Sequence, residues 1–395
     1  MRSQEASVVE AAVLTSGRII RAALLGGIAS IFAACSQAAT PQVPAGYPVS
    51  TTSVAKEYQA PSVPIYALAD RLSKNGYHAP EIIVYGAPSA SGPMVIPLTG
   101  LYAPSRIAID AQQTVYVADY GKDGNEHLET SVTEWNTKHS GAIRKITAGI
   151  AYPIAIALTS AGLLYVANDF GGKAGTVTVY LKKSLRPSRT ITKGIKAPSA
   201  VAVDASGYAY VANPGVCYPG CANKVTEYPP KADVPSVVAT QGLEYPFALA
   251  IDSSEHLYAA SIPWVTEYEA HSATLIRKLS LGTGWEINTV ALDSLGDVYV
   301  AARRTVGSDW FGEIVEFGPT GNKPKRRITF SVGVVPESMV TDRYANLYSV
   351  TTSFSGACTG SRCALLEFPN GQKGRVVIAE SNRTTGIGGP IAVAP

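Results

Sequence analysis

The chain has 395 residues, with 33 Lys and Arg against 30 Asp and Glu, which gives a formal net charge of +3. Hydrophobic residues make up 46% of the chain and charged residues only 16%, so a large core can form and a chain that is disordered throughout is excluded. The near-neutral charge also argues against a dedicated nucleic-acid-binding protein, and no nucleic-acid partner is expected. The 36 Gly and 26 Pro favour many short strands joined by tight turns.

An apolar segment lies near the N-terminus. Residues 22–34 carry no charge, follow two arginines and end in two alanines before Cys35. A membrane-spanning helix needs about 20 apolar residues, so this shorter segment predicts a secretory signal over residues 1–34. The small-small-Cys ending resembles the lipobox of bacterial lipoproteins, which implies that Cys35 is lipid-modified. Ser36, in place of an Asp, then implies the outer membrane or the extracellular face. An ordinary signal peptide with an incidental cysteine is the alternative, because Phe32 stands where Leu is usual.

The next segment differs in composition from the rest of the chain. Residues 36–61 are rich in Pro, Ser, Thr and Ala and show no sustained apolar period. Such a composition predicts a flexible tether. Residues 35–61 are therefore expected to be a lipid-anchored tether, and residues 62–395 to be the folded body.

The body repeats three phrases. The first is apolar and usually ends in Asp, as in PSAVAVD (198–204); the second follows as in GYAYVAN (207–213) and the third as in VTEY (225–228). The last position of the first phrase recurs at 110, 159, 204, 252, 293 and 342, a spacing of 41 to 49 residues. This period matches the four-stranded blade of a β-propeller, at about 40–50 residues.

We assign the three phrases to strands a, b and c of a blade, counted from the centre. Weaker Arg-containing stretches, such as residues 277–279, become the outer strand d, where Lys and Arg suit an exposed edge. The Asp that ends strand a is expected to accept hydrogen bonds from the a–b turn.

The two ends of the body complement each other. GGPIAVAP (388–395) resembles strand a and is not followed by strands b, c and d. Residues 62–100 resemble strands b, c and d and are not preceded by a strand a. Joined, they predict an all-β, single propeller of seven four-stranded blades, closed by pairing of the N- and C-terminal strands. Six blades with loose ends is the alternative.

The phrases resemble NHL-type repeats and, more loosely, the senescence-marker/gluconolactonase and virginiamycin-lyase propellers. The resemblance covers nearly all of residues 62–395 and implies the propeller fold. It leaves the activity open, because these families include scaffolds, binders and hydrolases.

The resemblance also implies an alternative function, a calcium-dependent lactonase or esterase that uses the central channel. The lactonase-like relatives hold Ca²⁺ with Glu, Asn and Asp side chains. Their weak counterparts here are Glu244, Asn168, Asn213 and Asp119. Other blades carry residues that break a full ligand set, so no catalytic residue is assigned. The five His share no metal-ligand spacing, and no GxSxG nucleophile motif occurs.

In such propellers the b–c connections and the segments that enter strand a lie on one face. Long b–c loops, where binding residues often lie, are expected at 121–130, 214–223, 304–312 and 353–362. Two of these loops contain cysteine pairs, for which local disulfides are natural in an exported chain and a structural metal site is the rival interpretation. The pairs are Cys217 with Cys221 and Cys358 with Cys363.

Aromatic residues gather on the same face. The segments entering strand a and the b–c loops contribute Tyr102, Tyr152, Tyr245, Trp285, Tyr218, Trp310 and Phe311. An aromatic rim can stack on flat ligands, while packing against the neighbouring blade is the alternative. We therefore expect a non-enzymatic binding or scaffold module of the cell envelope, with carbohydrate, peptide or another envelope protein as the partner.

Overall fold

The computed structural model describes eleven stretches of the chain. They are residues 61, 63–72, 78–86, 93–121, 130–137, 141–169, 175–214, 223–353, 364–370, 376–380 and 387–393. These residues form strands, turns and bends, and the strands assemble into seven four-stranded antiparallel sheets. The part of the chain described here contains no helix long and apolar enough to cross a membrane.

Each sheet is one blade of a ring, and its strands are given below from the centre outward. Blade 1 joins the two ends of the chain: β28 (Ile387–Val393), β1 (Ile65–Leu72), β2 (His78–Tyr85) and β3 (Met94–Pro97). Blade 2 consists of β4 (Pro104–Ile109), β5 (Thr114–Asp119), β6 (Ser131–Asn136) and β7 (Ala142–Ile146). Blade 3 consists of β8 (Pro153–Leu158), β9 (Leu164–Asp169), β10 (Gly175–Tyr180) and β11 (Arg189–Ile191).

The remaining blades follow in chain order. Blade 4 consists of β12 (Ala200–Val203), β13 (Ala209–Asn213), β14 (Lys224–Tyr228) and β15 (Val237–Ala239). Blade 5 consists of β16 (Ala248–Ile251), β17 (Leu257–Ala260), β18 (Trp264–Tyr268) and β19 (Leu275–Ser280). Blade 6 consists of β20 (Glu286–Leu292), β21 (Val298–Val306), β22 (Asp309–Phe317) and β23 (Pro324–Thr329). Blade 7 consists of β24 (Val334–Thr341), β25 (Leu347–Ser353), β26 (Ala364–Phe368) and β27 (Val376–Glu380).

The predicted seven-bladed ring is confirmed. The innermost strands β4, β8, β12, β16, β20, β24 and β28 contact one another in that order, and β28 in turn contacts β4. Blade 1 is the predicted composite, since β28 pairs with β1 in the register Ile65↔Val393 and Ala67↔Ile391. The fold is therefore an all-β, seven-bladed propeller.

The core lies between neighbouring blades. Side chains alternate across each strand, so one face of a blade packs on the blade before it and the other face on the blade after it. Blades 2 and 3, for example, join Tyr116 and Val132 to Val166 and Tyr180 in one buried cluster. The Tyr180 hydroxyl donates to the carbonyl of Ala148 at 2.7 Å, which satisfies the polar end of this buried side chain.

The Asp that ends strand a has the predicted role in its turn. In blade 2, Oδ1 of Asp110 accepts the N–H groups of Gln112 at 3.0 Å and Thr114 at 2.8 Å. Equivalent bonds hold the a–b turns of blades 4 to 7. Recurrence of this residue thus has a structural cause.

Candidate functional site

The propeller has two faces. The loop face carries the segments that enter strand a, such as residues 99–103 and 149–152, together with the b–c connections. The turn face, on the opposite side, carries the a–b turns and the c–d hairpins. The predicted binding residues that the structure describes all belong to the loop face.

Buried polar residues at the end of strand b hold the entering segments of the loop face. Oδ1 of Asp119 accepts the N–H of Ala103 at 2.7 Å and that of Tyr102 at 3.2 Å. Asn168 accepts from Ala151 at 3.0 Å, and Asn213 accepts from Lys196 at 3.2 Å. Ser261 has the same place in blade 5, where its hydroxyl accepts the N–H of Glu244 at 3.3 Å. Strand b therefore fixes the loop face of its own blade.

The two asparagines are also fixed on their donor side. Nδ2 of Asn213 donates to the carbonyl of Val211 at 3.0 Å and to Oγ1 of Thr226 at 3.1 Å. Asn168 makes the same kind of contacts with Val166 and Thr178. These bonds use most of what the two buried side chains can offer.

Three of the four predicted calcium ligands belong to this set, and the fourth, Glu244, lies in the segment that enters strand a of blade 5. Burial raises the pKa of Asp119, while its hydrogen bonds to Ala103 and Tyr102 lower it, and the net shift is upward. Asp119, Asn168 and Asn213 thus have structural roles, and the calcium site stays a prediction. Among the described residues, the one group of three or more acidic, imidazole or thiol side chains close enough to share an ion lies on the turn face.

Tyrosine side chains of the entering segments reach the surface of the loop face. Tyr102 is 42% exposed and Tyr152 is 39% exposed. Tyr152 and Tyr245 have φ angles of 50° and 58°, in the left-handed region that a bulky residue rarely adopts. The carbonyl of Tyr152 accepts the N–H of Asp169 at 3.2 Å, so strand b helps to enforce this conformation. Tyr245 is half-buried, and burial raises its pKa, as does the nearby charge of Asp169.

Blade 6 adds a long hairpin to the loop face. Strands β21 and β22 stay paired out to Val306↔Asp309, and Gly307 with Ser308 forms the turn between them. The b–c loop predicted at 304–312 is therefore wrong: this segment is a β-hairpin. Its two strands alternate side chains across the pair, which places Arg303 and Arg304 on opposite faces of the hairpin.

Two guanidinium groups of this hairpin stack on aromatic rings. The Arg303 guanidinium lies 4.9 Å from the centre of the Trp310 ring, and its Nε donates to Glu286 at 3.1 Å. The Arg304 guanidinium lies 4.7 Å from the centre of the Trp285 ring and 5.8 Å from that of Phe311. Cation–π contacts of this kind fix both the rings and the charges. The hairpin thus presents flat apolar surfaces beside positive charge.

The structure brings Trp285 and Phe311 to Arg304 on one face of the hairpin and Trp310 to Arg303 on the other, and neither grouping was predicted from the sequence. A signal was present, since DVYVAA (297–302) runs directly into RRTV (303–306) and IVEF (314–317) follows DWFGE (309–313), stretches rich in β-branched and aromatic residues that extend both strand phrases. Tyr102, Tyr152 and Tyr245 lie on the same face in blades 2, 3 and 5. The lipidation candidate and several loop predictions lie outside the described residues: Cys35, Tyr218, Cys217, Cys221, Cys358 and Cys363.

The arrangement suits binding more directly than catalysis. Aromatic faces and stacked guanidinium groups can pack on flat rings, peptide planes or acidic groups. Comparison of the chain with models of known protein families finds no match, and comparison with curated protein sequences finds none either. A propeller with such a face supports a binding or scaffold module.

Proposed function

We propose that this protein is a non-enzymatic recognition propeller of the cell envelope, whose loop face binds a carbohydrate polymer. The observation that carries the proposal is the display of Tyr102 and Tyr152 at the surface. Tyr152 has left-handed backbone, which at a bulky residue costs of order 1–3 kcal/mol, and such strain concentrates at binding sites. Pyranose rings pack well on exposed aromatic faces, and the hairpin of blade 6 adds Trp310 with its arginine.

We also propose that the propeller is of the NHL type and is exported as a lipoprotein anchored through Cys35. The repeated phrases support the first part. The uncharged segment 22–34 and the Pro-, Ser- and Thr-rich segment 36–61 support the second. An anchored tether would place the loop face among the polymers of the bacterial envelope, at the outer membrane or on the outside of the cell. The four cysteines of the b–c loops would form two local disulfides in that oxidising compartment.

The binding proposal predicts a specific loss of affinity. We expect the double variant Tyr102→Ser/Tyr152→Gly to bind isolated peptidoglycan sacculi or purified envelope polysaccharide at least tenfold more weakly than the wild type, which corresponds to about 1.4 kcal/mol. Its stability should not fall, because Tyr102 is exposed and glycine adopts φ 50° without strain. Cosedimentation and thermal melting measure the two quantities.

Tyr344 supplies the matched control. It is 53% exposed, lies on the turn face and has the Arg343 guanidinium 5.0 Å from its ring centre. Tyr344→Ser therefore removes an exposed aromatic of the same kind and should leave binding unchanged. Equal binding by the double variant and the wild type would contradict the proposal, as would an equal loss in the control.

The anchor is tested separately. Metabolic labelling with a clickable fatty acid should mark the wild-type chain and not Cys35→Ala, because only the thiol at this position accepts the lipid. The variant should also leave the membrane fraction after cell lysis. Equal labelling of the two chains would exclude Cys35 as the anchor.

A further inference from the structure

A polar array repeats on the turn face. In five blades, a Tyr of strand b stands opposite a Glu of strand c, next to the Asp that ends strand a. In blade 4, the Tyr210 hydroxyl donates to Oδ2 of Asp204 at 3.0 Å, and Glu227 is the residue opposite Tyr210. Asp204 and Glu227 are both buried. Two buried carboxylates in one array are unfavourable unless a cation lies beside them.

Strand d supplies this cation in three of the five blades. An arginine stands opposite the Glu and forms an ion pair with it in the pairs Glu134–Arg144, Glu267–Arg277 and Glu316–Arg326. In blade 4 the residue opposite Glu227 is Val237, and β15 contains only Val237, Val238 and Ala239. The outer strand of this blade therefore brings no positive charge to Glu227.

The c–d hairpin of blade 5 reaches into this place with His271. Its Nδ1 lies 3.3 Å from Oε2 of Glu227 and 3.2 Å from the Tyr210 hydroxyl, and its Nε2 lies 3.0 Å from Oε2 of Glu255. Asp204, Glu255 and His271 can each offer one ligand atom, and these atoms lie within 4.8 Å of one another. The group lies between two blades. Asp204 and the neighbouring Glu227 belong to blade 4, and Glu255 and His271 belong to blade 5.

Glu255 is held at this point by a turn that favours glycine. It has a φ of 65°, three residues after the Asp of its a–b turn. Three other blades have glycine at the equivalent position: Gly162, Gly207 and Gly296. The Glu255 carboxylate crosses to blade 4, where it accepts the Ser206 hydroxyl at 2.6 Å. A charged side chain thus occupies a strained position and points towards the imidazole.

We propose that Asp204, Glu255 and His271 bind a divalent first-row transition ion between blades 4 and 5, with Zn²⁺ as the reference ion. One imidazole nitrogen and two carboxylate oxygens form a donor set that suits Zn²⁺ better than Ca²⁺ or Mg²⁺, which prefer oxygen alone. Tyr210 and Ser206 orient the two carboxylates by their hydrogen bonds, as outer groups do at metal sites.

Charge balance supports a divalent ion. In blade 5, Arg277 pairs with Glu267, and the carboxylate of Asp252 then leaves an excess of one negative charge if His256 is counted as neutral. In the blade 4 group, one imidazolium would leave an excess of two. A divalent ion with neutral His271 leaves an excess of one negative charge, the same as in blade 5. The negative charge of Glu227 then attracts the ion, although Glu227 is not a required ligand.

The test uses the purified full chain, freed of metal with a chelator and then titrated with ZnCl₂ alone. Wild type should bind Zn²⁺ in a site whose filling raises the melting temperature by several degrees, whereas equal concentrations of MgCl₂ should not. Glu255→Gly should relieve strain, keep the fold and lower the Zn²⁺ affinity at least tenfold. His271→Asn should lower it at least as much, because asparagine tolerates the φ of 49° at this position.

Two variants are matched controls. Gln113→Gly changes the same turn position in blade 2, where φ is 62°, and His256→Asn removes an imidazole that lies 3.1 Å from Asp252 beside an arginine-paired Glu. Both should keep the wild-type Zn²⁺ affinity. If the wild type binds no Zn²⁺, or if Glu255→Gly binds it as tightly as Gln113→Gly, the site does not exist. Should His271→Asn fail to fold, the comparison of the two glycine variants still decides the question.

Discussion

At the scale of single residues, the polar position that ends strand b shows how one location serves different blades. Asp119, Asn168, Asn213 and Ser261 all accept an N–H from the segment that enters strand a. In blade 7 the same place is taken by Thr351, whose hydroxyl instead accepts the N–H of Ala364, the first residue of strand c, at 3.2 Å. In blades 2 to 5 a short side chain with an acceptor atom makes this contact, so the residue type varies while the contact persists. Because the residue type at this position differs between blades, the sequence does not predict that these residues bind one metal ion together.

The anchoring role predicts a loss of stability in Asn213→Ala. This change removes the acceptor of the Lys196 N–H and the donor to the buried Thr226 hydroxyl, which costs about 1–3 kcal/mol. Urea unfolding measures the difference. Asn322→Ala, at an exposed turn, should change stability by less than about 0.5 kcal/mol.

Calcium separates the two roles proposed for Asn213. An anchor gives the same destabilisation with excess Ca²⁺ and with chelator, because the lost contacts are internal to the protein. A calcium ligand gives a larger loss when Ca²⁺ is present. Destabilisation that appears only with Ca²⁺ would refute the anchoring role and favour the lactonase-like alternative.

At the scale of strands and hairpins, the sequence predicted the repeating parts and missed the contacts between them. Strands a, b and c were recognisable because each blade repeats the same apolar phrase at a nearly constant period. The hairpin of blade 6 was predicted as a loop, although Gly307 and Ser308 form a two-residue turn between the paired residues Val306 and Asp309. The Gly-Ser turn is a local signal. It indicates a hairpin only when the residues on both sides of it are recognised as continuations of strands b and c.

The role predicted for the arginines of the outer strands was also wrong in one case. The arginines of strand d were expected to protect an exposed edge, which is wrong for Arg277, a buried residue paired with Glu267. The Glu of strand c and the Arg of strand d are both visible in the sequence, yet their pairing depends on the cross-strand register. His271 was harder still, since its partner Glu227 is 44 residues away in another blade. A contact between two blades joins residues of different repeats, so the sequence spacing within one repeat does not reveal it.

At the scale of the whole molecule, the ring depends on one pairing between the ends of the chain. Strand β28 supplies the inner strand of blade 1, and Ile391 packs into a buried cluster with Ile65, Ala67 and Tyr348. Every other blade is built from one continuous stretch of the chain. This single closure therefore holds blades 7, 1 and 2 together, and it was predictable because each end lacked the strands that the other possessed.

Removal of residues 388–395 should open the ring. Loss of β28 exposes the inner edge of β1 and removes Ile391 from its cluster, so we expect a loss of more than about 3 kcal/mol together with aggregation through the unpaired edge. Urea unfolding and size-exclusion chromatography measure the two effects. Removal of residues 394–395 alone leaves β28 complete and should preserve stability. A synthetic peptide spanning 387–395, added to the longer truncation, should pair with β1 and restore part of the lost stability. If the longer truncation melts like the intact protein, the paired ends do not hold the ring closed.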